Sequence, residues 1–351
     1  MKYKLLSVEN IAKTNIGDYI QALASSQFLP QVDGFIDREK LKDYDGEESK
    51  VIMNGWYIHN TQQWPPSPKI VPLYVAVHIN KSAAHDMLTT DGLNYLKKYE
   101  PIGCRDLYTY DLLQQHGIDA YFSGCMTLTL GYKYVSKERG KEIYFVDPFV
   151  PWERTFGICM KDLFYMLSHP RLISQIARKY TITENRLKNY YYNSRFVRLY
   201  SRLFTKDTLL KANYISQENT HYTTLDNKQR MAAAEALVQK YSKAAFVVTS
   251  RIHCALPCTG LGTPVYFVNR AEDTEISTCR FGGLIDLFHT ITVFPDKIES
   301  NFKKKKKYST EYIVANKDSW KSLAEDLISK CRSFVREKDT SMKESSVGGA
   351  I

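Results

Sequence analysis

Short apolar runs alternate with stretches of helical periodicity along most of this chain. Residues 4–8 read as a first strand, followed by an amphipathic helix over 18–28 with Asp18 as its N-cap. Strands are expected at 50–54, ending at Gly55, and at 71–77, with a helix over 90–99. Ile102-Gly103-Cys104 leads into Arg105, a helix over 107–115 stops at Gly117, and a strand at 119–122 closes the series. Runs this short and continuously apolar, separated by helices, predict a parallel sheet covered on both faces.

The alternation restarts with a strand at 141–146. The stretch 160–210 is helical in period and rich in aromatics, and is expected as a helical insertion. Beyond it come a strand at 212–216, a helix at 228–241, a strand at 245–249, a helix at 251–260 and a strand at 265–268. A closing helix over 319–336 is expected to pack back toward the first half. The domain reading is an N-terminal unit over 1–135, a C-terminal unit over 136–338 carrying the insertion at 160–212, and a polar, mobile tail at 339–351.

Composition narrows the class. A hydrophobic share of 44% with 25% charged residues describes a globular chain, and no apolar run approaches the ~20 residues of a membrane span. The amino terminus does not read as a signal peptide, so a cytoplasmic protein is expected. Seven cysteines lack Cys-x-x-Cys spacing and are expected as reduced thiols, and no metal site is expected. The net charge of +10 is concentrated. Residues 159–212 hold eleven Lys/Arg against three acids, and Lys303 to Lys307 form a second run. Such patches suit an anionic membrane surface or a diphosphate-linked substrate; a solvated polar face is the plain alternative.

Candidate chemistry gathers where strands end. Val247-Val248-Thr249-Ser250-Arg251-Ile252-His253 runs from an apolar strand into a helix N-terminus, a place that holds anions. Ligands of open α/β sheets bind outside the carboxyl ends of strands, so Ser250, Arg251 and His253 should face a ligand. Arg105 occupies the same kind of junction in the first half. Asn15-Ile16-Gly17-Asp18 opens the first helix after the first strand, with Asp18 or Asp106 either an N-cap or a base for an acceptor hydroxyl. Trp56 and His78 are expected at the cleft edge with His59 and Trp64, and Arg280, beside Gly282-Gly283, as a further anion contact.

Asn15-Ile16-Gly17-Asp18, Gly103-Cys104-Arg105-Asp106 with Gly117-Ile118, and Thr249-Ser250-Arg251-Ile252-His253 with Gly262-Thr263-Pro264 together resemble the polysaccharide pyruvyl transferase family. The resemblance implies an α/β fold of two Rossmann-like domains in a GT-B-like arrangement with a ligand cleft between them. It implies transfer of the enolpyruvyl unit of phosphoenolpyruvate to two hydroxyls of a sugar, giving a cyclic pyruvate ketal in surface polysaccharide biosynthesis. Phosphoenolpyruvate is then the donor substrate and no cofactor is expected. By position, Arg251 and His253 become the donor-site pair, with Arg105, Ser250 and Arg280 as further donor contacts, His253 the acid, and Asn15, Asp18, Trp56 and His78 on the acceptor side. The acceptor is expected to be a lipid-diphosphate-linked glycan, reached by peripheral association with the inner face of the membrane; nucleic acid is not expected as a partner. Departing from the family pattern, Asn54-Gly55-Trp56 replaces a run of glycines. A glycosyltransferase using a nucleotide sugar is the rival reading, and Asp273 and Glu275 leave its ribose contact open.

Overall fold

The computed structural model describes residues 1–9, 15–271, 279–302 and 306–337. The first half contributes β1 (Lys2–Ser7), α1 (Ile16–Ser26), β2 (Gly34–Asp37), β3 (Ser49–Tyr57), β4 (Ile70–Ile79), α2 (Lys81–Met87), α3 (Thr90–Lys97), β5 (Ile102–Cys104), α4 (Leu107–Gln115) and β6 (Ala120–Phe122). Its six strands lie in the order β2-β1-β3-β4-β5-β6, every pair parallel.

The second half contributes α5 (Gly131–Tyr134), β7 (Ile143–Val146), α6 (Phe156–Ser168), α7 (Pro170–Ala177), α8 (Arg186–Tyr200), α9 (Lys206–Lys211), β8 (Asn213–Ile215), α10 (Asn227–Lys243), β9 (Phe246–Thr249), α11 (Ile252–Gly260), β10 (Val265–Arg270), β11 (His289–Val293), β12 (Ile298–Ser300) and α12 (Lys321–Arg336). The order is β12-β11-β10-β9-β7-β8, with only the β11–β12 pair antiparallel among the described strands. The fold is thus mixed α/β, with two parallel-dominated six-stranded sheets and 12 α-helices among the described residues, as two Rossmann-like domains require.

The two sheets share a core. Ile20 and Leu23 of α1 join Leu237, Val238 and Tyr241 of α10 and Leu256 of α11 in one apolar cluster. Polar ties reinforce it: the Tyr19 hydroxyl donates to Asn227 Oδ1 at 2.6 Å, and the Ile16 amide to the Gln217 carbonyl at 3.2 Å. The closing helix does return to the first half. Its Leu327, Cys331 and Phe334 enter the same cluster, and Lys50 Nζ of β3 donates to the Phe334 carbonyl at 3.0 Å.

Several expectations are corrected. The N-cap of α1 is Asn15, whose Oδ1 accepts from the Gly17 amide at 2.9 Å, so Asp18 sits inside the first turn. Strand β3 does not end at Gly55; a bulge with Gly55 at φ +120° carries it on to Tyr57. The stretch 160–210 is four helices, interrupted before Pro170 and at 178–185 and 201–205. Strands β2, β11 and β12 and helix α2 were not among the expected elements.

The basic stretch is not a uniformly solvated face. Arg195 is fully buried, and its Nε donates to Asp162 Oδ2 at 2.8 Å while its Nη1 caps the Pro151 and Glu153 carbonyls. Arg198, also buried, joins Asp162 Oδ1 at 2.8 Å to Asp296 Oδ1 at 2.7 Å. These arginines bind α8 to α6 and to the β11–β12 turn, because a guanidinium can enter a core only when carboxylates and carbonyls satisfy it. Lys303 to Lys305, Asp273, Glu275 and the tail at 339–351 lie outside the described residues.

Candidate active site

A cavity of about 950 Å³ opens at the carboxyl ends of both sheets. Asn15, Asp18, Trp56, Arg105, Ser250, Arg251, His253 and Arg280 line it, drawn together from five separate parts of the sequence. His78 does not line it. It lies buried one layer behind, with Nδ1 at 2.6 Å from Asp106 Oδ2.

The geometry at His253 begins with a proline. Pro257 has no N–H to give the His253 carbonyl, which instead accepts from Gln217 Nε2 at 3.2 Å, and α11 kinks with His253 at ψ 18°. The imidazole then leans across the interface onto the first half. A Cβ built on Gly17 would stand 2.8 Å from His253 Cβ and 3.1 Å from its Nδ1, so the glycine of the Asn-x-Gly-Asp motif is required by the second half of the chain. Gln21 Nε2 approaches Nδ1 at 3.5 Å, while Nε2 of His253 has no hydrogen-bond partner.

Its surroundings are cationic. Burial, then the charges of Arg105, Arg280 and Arg38, push the His253 pKa well below the usual imidazole value, so the ring is neutral at pH 7 in the unliganded protein. Arg105 follows β5, is buried, and its Nε has no hydrogen-bond partner. Behind it Asp106 caps α4, accepting from the Thr109 amide and hydroxyl at 2.9 Å each. Burial would raise the Asp106 carboxyl, but the hydrogen bond from His78 and the charges of His78 and Arg105 hold it below its ordinary value. For His78 burial and Arg105 outweigh Asp106, and its pKa falls. Arg280 reaches this place because its loop is tied to the first half: the Leu107 amide donates to the Gly282 carbonyl at 3.1 Å.

Arg251 is set differently. Its Nε donates to Asp147 Oδ2 at 3.0 Å and its Nη2 to Glu218 Oε2 at 2.8 Å, and Ser250 Oγ donates to the Asp147 carbonyl. Burial alone would lower its pKa; the two carboxylates raise it. Arg251 therefore meets the cavity as half of an ion-pair cluster, with two of its donor atoms committed.

The sequence reading missed Arg38, Gln21, Asp147 and Glu218. Arg38 is buried behind Trp56, its guanidinium 5.4 Å from that ring and its Nη1 3.8 Å from Asp18 Oδ1. The signal was present: Gly34-Phe35-Ile36-Asp37-Arg38 is an apolar run ending on Asp-Arg, the counterpart of Cys104-Arg105-Asp106.

Comparison with curated proteins finds no match. A family model, polysaccharide pyruvyl transferase, matches residues 15–272. That span carries Asn15, Arg38, Arg105 and His253, both halves of the cavity wall, and it exceeds half of the 351 residues. The chain belongs to the polysaccharide pyruvyl transferase family.

Proposed function

We propose that this transferase binds phosphoenolpyruvate against Arg38, Arg105, Arg280 and His253 and moves its enolpyruvyl unit onto two hydroxyls of a sugar, forming a cyclic ketal on a lipid-diphosphate-linked glycan. The observation that carries the reading is the convergence of three arginines on one neutral histidine. Phosphoenolpyruvate brings about three negative charges within a few ångströms, which bidentate guanidinium donors match.

The same anion reverses the field at His253. Phosphate and carboxylate beside the ring favour the imidazolium, so donor binding arms the acid. Nε2, unpartnered in the free protein, delivers the proton to the donor's methylene carbon. The resulting oxocarbenium-like carbon is attacked by one sugar hydroxyl, and the second displaces phosphate. Of the two hydroxyl protons, one restores that given by His253 and the other leaves with phosphate. Asp18 serves as base for the acceptor, held by Gln21 Nε2 at 3.3 Å and near Arg38. An acid or base of this kind contributes ~10²–10⁴-fold. Trp56 offers a ring face to the sugar, and Asn15, His78 and Asp106 hold the groups around it.

The test is thermal stability with phosphoenolpyruvate and, separately, with UDP-sugars, since a ligand of the native state raises the midpoint by mass action. A shift with phosphoenolpyruvate that vanishes in Arg105→Ala supports the reading. A shift with UDP-sugar alone replaces it by nucleotide-sugar transfer.

A further inference from the structure

Helix α6 turns an apolar face to solvent. Ile158 and Asp162 point into the protein, whereas Phe156, Met160, Leu163, Phe164 and Leu167 are exposed, at spacings of four, three, one and three that place them on one side of the helix. The exposure is large for such residues: 84% for Phe156, 72% for Phe164 and 71% for Leu167. Helix α8 packs alongside in parallel, with the Tyr191 hydroxyl on Cys159 and Ser194 Oγ on the Asp162 carbonyl, which brings Leu187, 84% exposed, level with Phe156. A contiguous apolar face on a soluble surface marks a docking site.

Cations flank it. Exposed Arg154 precedes α6, exposed Arg171 follows it in α7, and exposed Arg186 and Lys188 bracket Leu187. The face also adjoins the cavity. Trp152 lines the cavity, is half exposed, and meets Tyr192 at 4.3 Å; the same Tyr192 hydroxyl accepts from Arg154 at 2.9 Å.

We propose that this face docks on a bilayer bearing anionic headgroups, with Phe156, Phe164 and Leu167 seated among the headgroups and the flanking cations on lipid phosphates. The arginines argue for lipid over a second copy, because a twofold contact through this face would set its cations against themselves. The docking stands on the surface alone. Its purpose, holding the cavity mouth where a lipid-linked acceptor lies, rests on the proposed function.

The experiment is co-sedimentation of the full chain with phosphatidylcholine vesicles, with and without phosphatidylglycerol, for wild type, Phe156→Ser/Phe164→Ser/Leu167→Ser and Arg171→Glu/Arg186→Glu. Wild type is expected to bind phosphatidylglycerol vesicles, and each variant to lose about tenfold or more, at unchanged stability. Absence of wild-type binding, or undiminished binding by the serine variant, overturns the proposal. So does a wild-type dimer in sedimentation velocity that the serine variant abolishes without any vesicle binding. The phosphoenolpyruvate shift is read on the same samples, so vesicle binding without that shift upholds the docking and removes the donor reading.

Discussion

Arg105 and Arg251 occupy equivalent places in the two halves, each just past the carboxyl end of a parallel strand and just before a helix. Their settings are opposite. Arg251 gives two of its donor atoms to Asp147 and Glu218, while buried Arg105 has no hydrogen bond at Nε and only a 3.7 Å ion pair to Asp106, whose oxygens already accept from His78 and Thr109. An arginine with its carboxylates in place keeps a wall together. One whose nearby carboxylate, Asp106 at 3.7 Å, is shared with His78, beside two more arginines and a neutral histidine, keeps positive charge that an anionic ligand can satisfy. Strand-end position thus marks where a ligand meets the protein, and the local balance of carboxylates decides which arginine meets it.

The largest test of that contrast is Arg105→Ala. Removing a donor aimed at the transferring group should lower kcat/KM by ~10²–10³-fold and abolish the phosphoenolpyruvate shift. Loss of the neighbouring cation should also raise the His78 pKa, visible by NMR titration. Next is Gly17→Ala, whose methyl would collide with His253 and force the ring out of place. A cost of about 1–3 kcal/mol in stability is expected, with kcat reduced more than donor affinity.

Arg251→Ala should reverse the ranking seen at Arg105. The pair is part-exposed, so its loss should cost only about 1 kcal/mol in chemical denaturation, and donor affinity should fall by about tenfold or less. If Arg251→Ala instead removes the donor shift and Arg105→Ala keeps it, the two arginines have been assigned the wrong way round.

The smallest effect is on pH dependence. Burial and the arginines lower the folded pKa values of His253 and His78, so the unfolded chain, whose histidines titrate near about 6.5, takes up protons first on acidification. Stability of the free protein should therefore be full above that value and decline as pH falls through it toward the folded pKa values. His253→Gln should flatten the decline. Donor binding near pH 7 should take up a proton, measurable by calorimetry in buffers of different ionisation enthalpy, and the glutamine variant should not.

Much of this was legible in the chain. Continuous apolar runs predicted the longer central strands, because a strand buried on both faces has no polar side to alternate, and β9 is buried at all four positions. The junctions holding Asn15, Arg105, Ser250 and His253 followed from those strands. The edge strand β2 escaped notice, and Arg38 with it, since Gly34 and Asp37 leave it only two apolar residues where β9, of the same length, has three in a row before its threonine. The charge of the stretch 159–212 was legible only as a total: a count of cations cannot tell Arg195, inside the protein on Asp162, from Arg171 on the surface.

By itself the sequence determined two largely parallel sheets and most of the residues at their ligand-facing ends, because those depend on hydrophobic order and helix starts within a few residues of one another. Tertiary structure alone decided the electrostatics. Gln21 and His253 meet across 232 positions, and Arg251 pairs with a carboxylate 104 positions away. Whether an arginine is compensated or an imidazole neutral depends on burial and on charges a few ångströms distant, and only folding sets those distances.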